Sequence, residues 1–434
     1  MKSLLILFAF TTYICGQSIV TPEEAMSIGL KNNFDILIAK NNNEIANNNV
    51  GKGTAGFLPK LDASGGYSYS NSDQTSNSPF SFGNSNTKGY EGKLALSWTL
   101  FDGFKMFADN IRFKELSQLG DYQAKLIVEN TMVSILAGYF NLVQQELLLS
   151  IADSSLKISA ERLEKAKIRN SLGGASSSDL LNAQVSFNND RTAKIDQELR
   201  TEIARKDLNI LLAQNPETPI KVINEIEIPS FKLDYKEFVE LALEKNKSIL
   251  IAKKNFEIAA SNLNSFKSNY YPRVSINTSY GYSDREVNSD SDRFTSAVTT
   301  QSTDGSIALN FTFNLFNGLR DKIDVENAVI ESKIRGLQLS SEENRIAGLV
   351  NEKYLTLSKR LEKIELETVN LSAAKQNLDL QKERYETGAV NSLEFRDAQI
   401  NLARAQSNLI AAKFQARITI LELEQLTGNL NISQ

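Results

Sequence analysis

The residues best equipped for chemistry are two carboxylates three positions apart, Glu394 and Asp397, just beyond the turn-forming run Thr387-Gly388-Ala389-Val390-Asn391. Paired carboxylates perform glycoside hydrolysis, one protonating the leaving oxygen while the other attacks or activates water. Here they stand at a helix start beside a turn, with no aromatic cleft to hold a sugar, and are not read as catalytic. The chain has no histidine and one cysteine, Cys15. This removes the commonest general base and metal ligand, with every Ser/His/Asp or Cys/His arrangement, so no enzyme activity, cofactor or metal site is expected. Gly51-Lys52-Gly53-Thr54 has neither the spacing of a phosphate loop nor a strand before it. A helix start does explain Ser178, Asp179, Ser392 and Glu394, residue types that cap a first turn and complement its dipole. Asp397 lies a turn further in, where capping does not account for it.

The elements that must position these residues are written twice. Residues 21–70 align without gaps on 234–283 with 17 identities in 50 positions, Ile36-Leu37-Ile38-Ala39-Lys40 falling on Ile249-Leu250-Ile251-Ala252-Lys253. After two extra residues in the second copy the register resumes, placing Leu100-Phe101-Asp102-Gly103 on Leu315-Phe316-Asn317-Gly318 and Ala183-Gln184 on Ala398-Gln399. Each copy reads as helix, two strands, long helix, turn, long helix. The first repeat covers 17–214, with a β-hairpin at 61–100 and long helices at about 103–170 and 178–214. A linker at 215–233, broken by prolines, leads to the second repeat at 234–428, and 429–434 form a tail. In the second repeat the hairpin is at 273–315 and the long helices are at about 318–386 and 392–427.

The strands alternate strictly. Leu61, Ala63, Gly65, Tyr67 and Tyr69 share one face, as do Leu94, Leu96, Trp98 and Leu100. Val274, Ile276, Thr278, Tyr280 and Tyr282, then Ile307, Leu309, Phe311, Phe313 and Leu315, repeat the scheme. Segments of about 10 residues with tyrosines near their ends suit outer-membrane barrel hairpins, but the edge of a soluble sandwich alternates in the same way. From Gly103 to Asn170, and from Gly318 to Glu386, no proline interrupts, which predicts helices about 100 Å long. In the last helix Ala398, Leu402, Ala405, Leu409, Ala412 and Ala416 step by 4 and 3, a coiled-coil seam lined with small residues. Four strands per chain fall short of the roughly eight in the smallest single-chain barrels, so a barrel would need several copies, in a number the arithmetic leaves open.

Lys2, the apolar run Leu4 to Phe10 and the small Gly16 have the layout of a signal peptide over 1–16, cleaved between Gly16 and Gln17. Bulky Tyr13 and Ile14 argue against acylation of Cys15. Cleavage leaves a mature chain without disulfide or thiol nucleophile. No stretch of about 20 apolar residues is seen after the leader, which excludes a transmembrane helix and leaves a barrel as the way to span a membrane. The formal charge is only -4, and the basic residues are spread along the chain without a clustered face, so no nucleic-acid partner is expected.

Three sets of residues, in order and twice over, carry a family resemblance. They are Trp98-Thr99-Leu100-Phe101-Asp102-Gly103 with Phe313-Asn314-Leu315-Phe316-Asn317-Gly318, and the two turn-to-helix runs from Leu172 to Gln184 and from Thr387 to Gln399. Over almost the full mature length the chain resembles the TolC family of outer-membrane efflux proteins. The resemblance implies an α+β membrane protein: a tandem repeat of long coiled-coil helical hairpins and β-hairpins, assembled as a homotrimer. Its 12-stranded β-barrel would sit in outer-membrane lipid of a Gram-negative bacterium and continue as a periplasmic α-helical tunnel. Partners would be a periplasmic adaptor (membrane fusion) protein and an inner-membrane pump, antiporter or ATP-driven, with drugs, small molecules or secreted polypeptides conducted passively outward.

The same resemblance places a periplasmic constriction at Asp179, Asn182, Glu394 and Asp397, whose carboxylates would ring one axis and favour cations. It makes Tyr385 a latch bonded to Asp179; the arginine that supports such a latch in the family is Val390 here. It assigns adaptor docking to the turns at Gly173, Gly174 and Gly388. A structural reading stands beside it, an exported coiled-coil or envelope-spacer protein with no pore. An adaptor itself would carry one helical hairpin and a mostly β remainder.

Overall fold

The computed structural model describes residues 19–73, 84–172, 177–229, 234–291, 294–387 and 389–430, with backbone alone over 289–291 and 294–296. Strand β1 (Ile19–Val20) leads into helices α1 (Pro22–Asn32) and α2 (Phe34–Asn48), strands β2 (Lys60–Ser72) and β3 (Asn84–Phe101), and helices α3 (Lys105–Ser171) and α4 (Ser177–Leu211). After β4 (Lys221–Val222) the series returns as α5 (Tyr235–Lys245), α6 (Lys247–Lys267), β5 (Arg273–Ser291), β6 (Phe294–Thr312), α7 (Arg320–Glu386) and α8 (Ser392–Leu426). The long helices match in length, 67 residues in α3 and α7 and 35 in α4 and α8.

The repeat extends to single hydrogen bonds. Capping boxes start the first helix of each copy, Thr21 with Glu24 and Asp234 with Glu237. Asn33 and Asn246, equivalent positions, each serve two helices. Their side-chain oxygens accept from the backbone N–H groups of Asp35 at 2.9 Å and Ser248 at 3.0 Å, starting α2 and α6. Their amide groups donate to the carbonyls of Leu211 at 2.9 Å and Leu426 at 3.0 Å, the last residues of α4 and α8. Changing either asparagine to alanine removes a cap and strands a helix-end carbonyl. A loss of about 1–2 kcal/mol is expected for each, read by urea unfolding of the purified protein.

The chain forms two compact units, and neither is a repeat. One takes the described residues up to 41, from 123 to 249 and from 342 onward; the other takes 42–122 and 250–341. In the first, Met132, Ile135, Leu136, Tyr139, Phe140, Leu142 and Val143 of α3 pack with Ala25 and Met26 of α1, Leu208 of α4 and Leu421 of α8. The fully buried Tyr139 donates its hydroxyl to the Val20 carbonyl at 3.0 Å and accepts from the Ile223 N–H at 3.2 Å. It thereby fixes the parallel pair β1–β4 to the core. The described part of the segment expected to be a linker is core as well, since Ile220, Val222 and Ile226 are buried.

The same core corrects the expectation that nothing beyond the leader could pass for a membrane span. One 18-residue window of α3 has a mean hydropathy of 1.4. Charged residues flanking and interrupting the apolar positions hid it from a search for an unbroken run. By composition it qualifies as a span, yet α3 supplies much of the buried core of this unit.

In the second unit the four long strands form one antiparallel sheet in the order β2-β3-β5-β6, so the hairpins of the two repeats join through β3 and β5. Leu61 pairs with Leu96, Ala63 with Leu94 and Tyr67 with Tyr90; Trp98 pairs with Ile276, which pairs with Leu309. One face of the sheet is thus apolar across all four strands. A bulge between Thr99 and Phe101 shifts the register where β3 leaves the sheet. The second hairpin ends at Thr312 and not at Leu315 as expected, because the register would next require Pro272, which has no N–H to give. Polar residues beyond the alternating segments continue the ladders, making β3, β5 and β6 18 to 19 residues long.

Candidate functional site

The candidate residues cluster where the long helices turn, in the first unit. At the α3–α4 hairpin, Leu163 and Ala166 pack on Ala183, with Leu180 and Phe187 against them. At the start of α8 the cap is Asn391, not the expected Ser392. Its side chain accepts from the N–H groups of Leu393 at 2.9 Å and Glu394 at 3.0 Å. The two neighbours are both good caps, and the chain sets the boundary one residue earlier.

Helical periodicity then sorts α8 into two faces. Of the seam that the heptad spacing predicts, Ala398, Ala405, Ala412 and Ala416 are buried and Leu402 and Leu409 half-buried, and Phe395 and Gln399 are buried beside it. Glu394 and Asp397 are exposed, and Asn401, Arg404 and Asn408 continue the same exposed stripe at steps of 3 and 4. On α4, Asp179 and Asn182 are exposed on one side while Ala183 and Asp190 are buried. The candidate acids therefore stand on open faces at two helix starts. Gly173, Gly174 and Gly388, and the cleavage residues Gly16 and Gln17, lie outside the described residues.

Tyr385 ends α7 in a buried apolar cluster with Val390 and Phe395, against which Ile158 and Leu378 pack. Its ring lies parallel to that of Phe395 at 5.2 Å, tying the end of α7 to the first turn of α8. The Arg169 guanidinium of α3 sits over the Tyr385 ring at 5.4 Å. Val390, the position that the resemblance compares with an arginine, thus gives the tip an apolar contact.

Guanidinium groups reach the cluster from elsewhere. Arg162 of α3 is buried, and burial lowers its proton affinity, with the positive charge of Arg396 adding to the effect. Tyr385, Asp190 and Asp179 oppose that shift, so Arg162 lies in the field of both residues expected to form the latch. Arg396 of α8 makes a two-pronged ion pair with Asp190 of α4, Nη1 to Oδ2 at 2.7 Å and Nη2 to Oδ1 at 2.6 Å. Sequence reasoning missed this pair. Arg396 sits inside a quoted motif, but its partner is 206 residues away and nothing in the spacing connects them.

Chemically, the exposed stripe can attract cations and order water. Among the described residues, no group of three or more His, Cys, Asp or Glu is placed to hold a metal ion.

Residues 26–214 and 238–429 match the family described as outer membrane efflux protein. The chain is 21% identical over 388 residues to the outer membrane protein TolC of Escherichia coli K12, covering 86% of this chain and 75% of that protein. Its fold is similar to the CmeC outer membrane channel of Campylobacter jejuni, with TM-score 0.78, 17% identity, and 95% of this chain and 87% of that one covered. It is also similar to the outer membrane protein VceC of Vibrio cholerae, with TM-score 0.72, 15% identity, and coverages of 94% and 96%.

Proposed function

Because the chain belongs to the outer membrane efflux protein family, we propose that three copies build one conduit through the outer membrane, completed on the periplasmic side by an adaptor and an inner-membrane pump. The protein is an outer-membrane protein of the efflux-channel family. The observation that carries the proposal is the four-stranded sheet. One face is apolar from Val274–Phe311 through Ile276–Leu309 and Thr278–Ile307 to the tyrosines at 280 and 282, about 27 Å of strand. With tilt, that length covers most of an apolar band about 25 Å tall.

Aromatic rings bound the band, as at a membrane interface. Tyr67 and Tyr90 meet at 5.0 Å at one end. At the other, Phe104 contacts Phe107 at 6.1 Å and Tyr271 at 5.7 Å, and Phe107 contacts Phe57 at 5.1 Å. Strands β2 and β6 lie at the two edges of the sheet, and an exposed edge needs a partner. Joining β6 of one copy to β2 of the next closes twelve strands over three copies. The apolar face then meets lipid, and the polar face, with Asn277, Ser279 and Asn310, lines the lumen.

A lysine tests the facing. Leu309→Lys is expected to cost about 2–4 kcal/mol and to deplete folded oligomer in the outer membrane. Asn310→Lys, one residue on and facing the lumen, leaves the yield near that of the parent. Equal yields from the two variants contradict the barrel.

At the helical tips, Glu394 and Asp397, with Asp179 and Asn182, form the narrowest ring of the duct. Their exposure at two helix starts supports the assignment, and three copies gather six carboxylates from α8 alone. The ring opens when the tip helices separate on engaging the adaptor at the turns around Gly173, Gly174 and Gly388. Drugs, small molecules or secreted polypeptides pass without chemistry, and the energy comes from the pump.

A further inference from the structure

Resting on the conduit reading just given, we propose that Asp190 is the keystone that positions the closed tip. Its buried carboxylate on α4 pairs with Arg396 of α8, so α8 leaves its seat only when that ion pair is given up. The geometry of the first contact is a two-pronged ion pair whose side chains are only 15% and 10% exposed. Paired guanidinium and carboxylate in this arrangement form the strongest kind of polar side-chain contact. Breaking one from a single side leaves an uncompensated buried charge.

The second arginine sets the balance. Arg162 is 4% exposed, and its Nε and Nη1 find no hydrogen-bond partner. The charges of the ion pair both reach this buried guanidinium, Arg396 repelling it and Asp190 attracting it, as Tyr385 and Asp179 also do. Three residues along α8 from Arg396, the buried Gln399 amide has both its oxygen and its nitrogen unmatched. These unmatched groups raise the cost of the present arrangement. A seat whose polar side rests on one buried ion pair, opposed by several unmatched groups, suits a switch between two packings. Arg396 lies within the first turns of α8, two residues from Glu394 and next to Asp397, so releasing it frees the acids of the ring.

The charge of Arg162 makes the three positions unequal. Asp190→Asn leaves the Arg396 guanidinium buried without its carboxylate and within the field of Arg162, and the closed-to-open ratio should fall about a hundredfold. Arg396→Gln should fall short of that, since the positive charge of Arg162 still acts on Asp190. Arg162→Met alone should leave closure intact. Added to Asp190→Asn it should restore closure about tenfold, because it removes the repulsion.

The experiment is single-channel recording of oligomers in planar bilayers, with each variant's melting curve taken to show that it is assembled. Asp190→Glu, which keeps the charge, guards against a variant that fails to fold. Graded opening in that order, with rescue by Arg162→Met, supports the keystone. Assembled variants that all gate like a conducting parent overturn it. If the parent itself passes no current, the conduit reading fails and the keystone's gating role fails with it.

Discussion

Gly103→Ala should cost far more stability than Gly318→Ala, although the two glycines hold equivalent places in the repeats. Both stand where a strand hands over to a long helix, with φ of 71° and 70°, a region that excludes most side chains. A Cβ at Gly103 would lie 2.3 Å from the Ser268 carbonyl oxygen and 2.9 Å from Tyr271 Cβ, so backbone must move. At Gly318 nothing lies within 4 Å. Gly318→Ala thus meets only the left-handed backbone, at about 1–2 kcal/mol. Gly103→Ala meets the same term and a collision with the 268–271 segment, for a total of about 3 kcal/mol or more. Urea unfolding of the two variants in one detergent compares them, and equal losses would show that the close approach of Ser268 is absent in solution. The residues that follow, Phe104 and Leu319, are left-handed too, with φ of 72° and 66°. Phe104 offsets its strain with ring contacts to Phe101 and Tyr271 at 5.1 and 5.7 Å.

Neutralising the tip acids is the second change expected to have a large effect. Glu394→Gln with Asp397→Asn replaces exposed carboxylates by amides of the same shape on a surface that buries neither, so folding should be untouched. Current through the oligomer should lose its cation preference, the permeability ratio of potassium to chloride falling about tenfold. Asn391 performs the capping through its own side chain, so the variant keeps the hydrogen bonds that start α8. An unchanged ratio in a conducting variant would move the narrowest charged ring elsewhere in the duct.

Much of the fold was legible because it obeys simple periods. Strict alternation over 61–69 and 274–282 fixed which residues share a face, and the pairs Leu61–Leu96 and Ile276–Leu309 place them across from one another. The proline-free stretches became helices of 67 residues, and the alanine seam of α8 is buried. Other features depend on contacts that no local pattern encodes. The division into two units cuts across the repeats because packing joins segments far apart in sequence. Asp190 and Arg396 look like ordinary solvated helix charges until α4 and α8 are set side by side. The hairpin end at Thr312 depends on the missing N–H of Pro272 across the ladder, and the apolar part of α3 on the core it enters.

The central claim is that copies of this chain close a barrel and conduct. It is tested most directly by planar-bilayer recording of detergent-extracted protein whose oligomer mass has been measured. Trimers giving small, cation-preferring currents are the predicted result. A monomer that stays soluble without detergent and passes no current would contradict the conduit and favour a coiled-coil spacer.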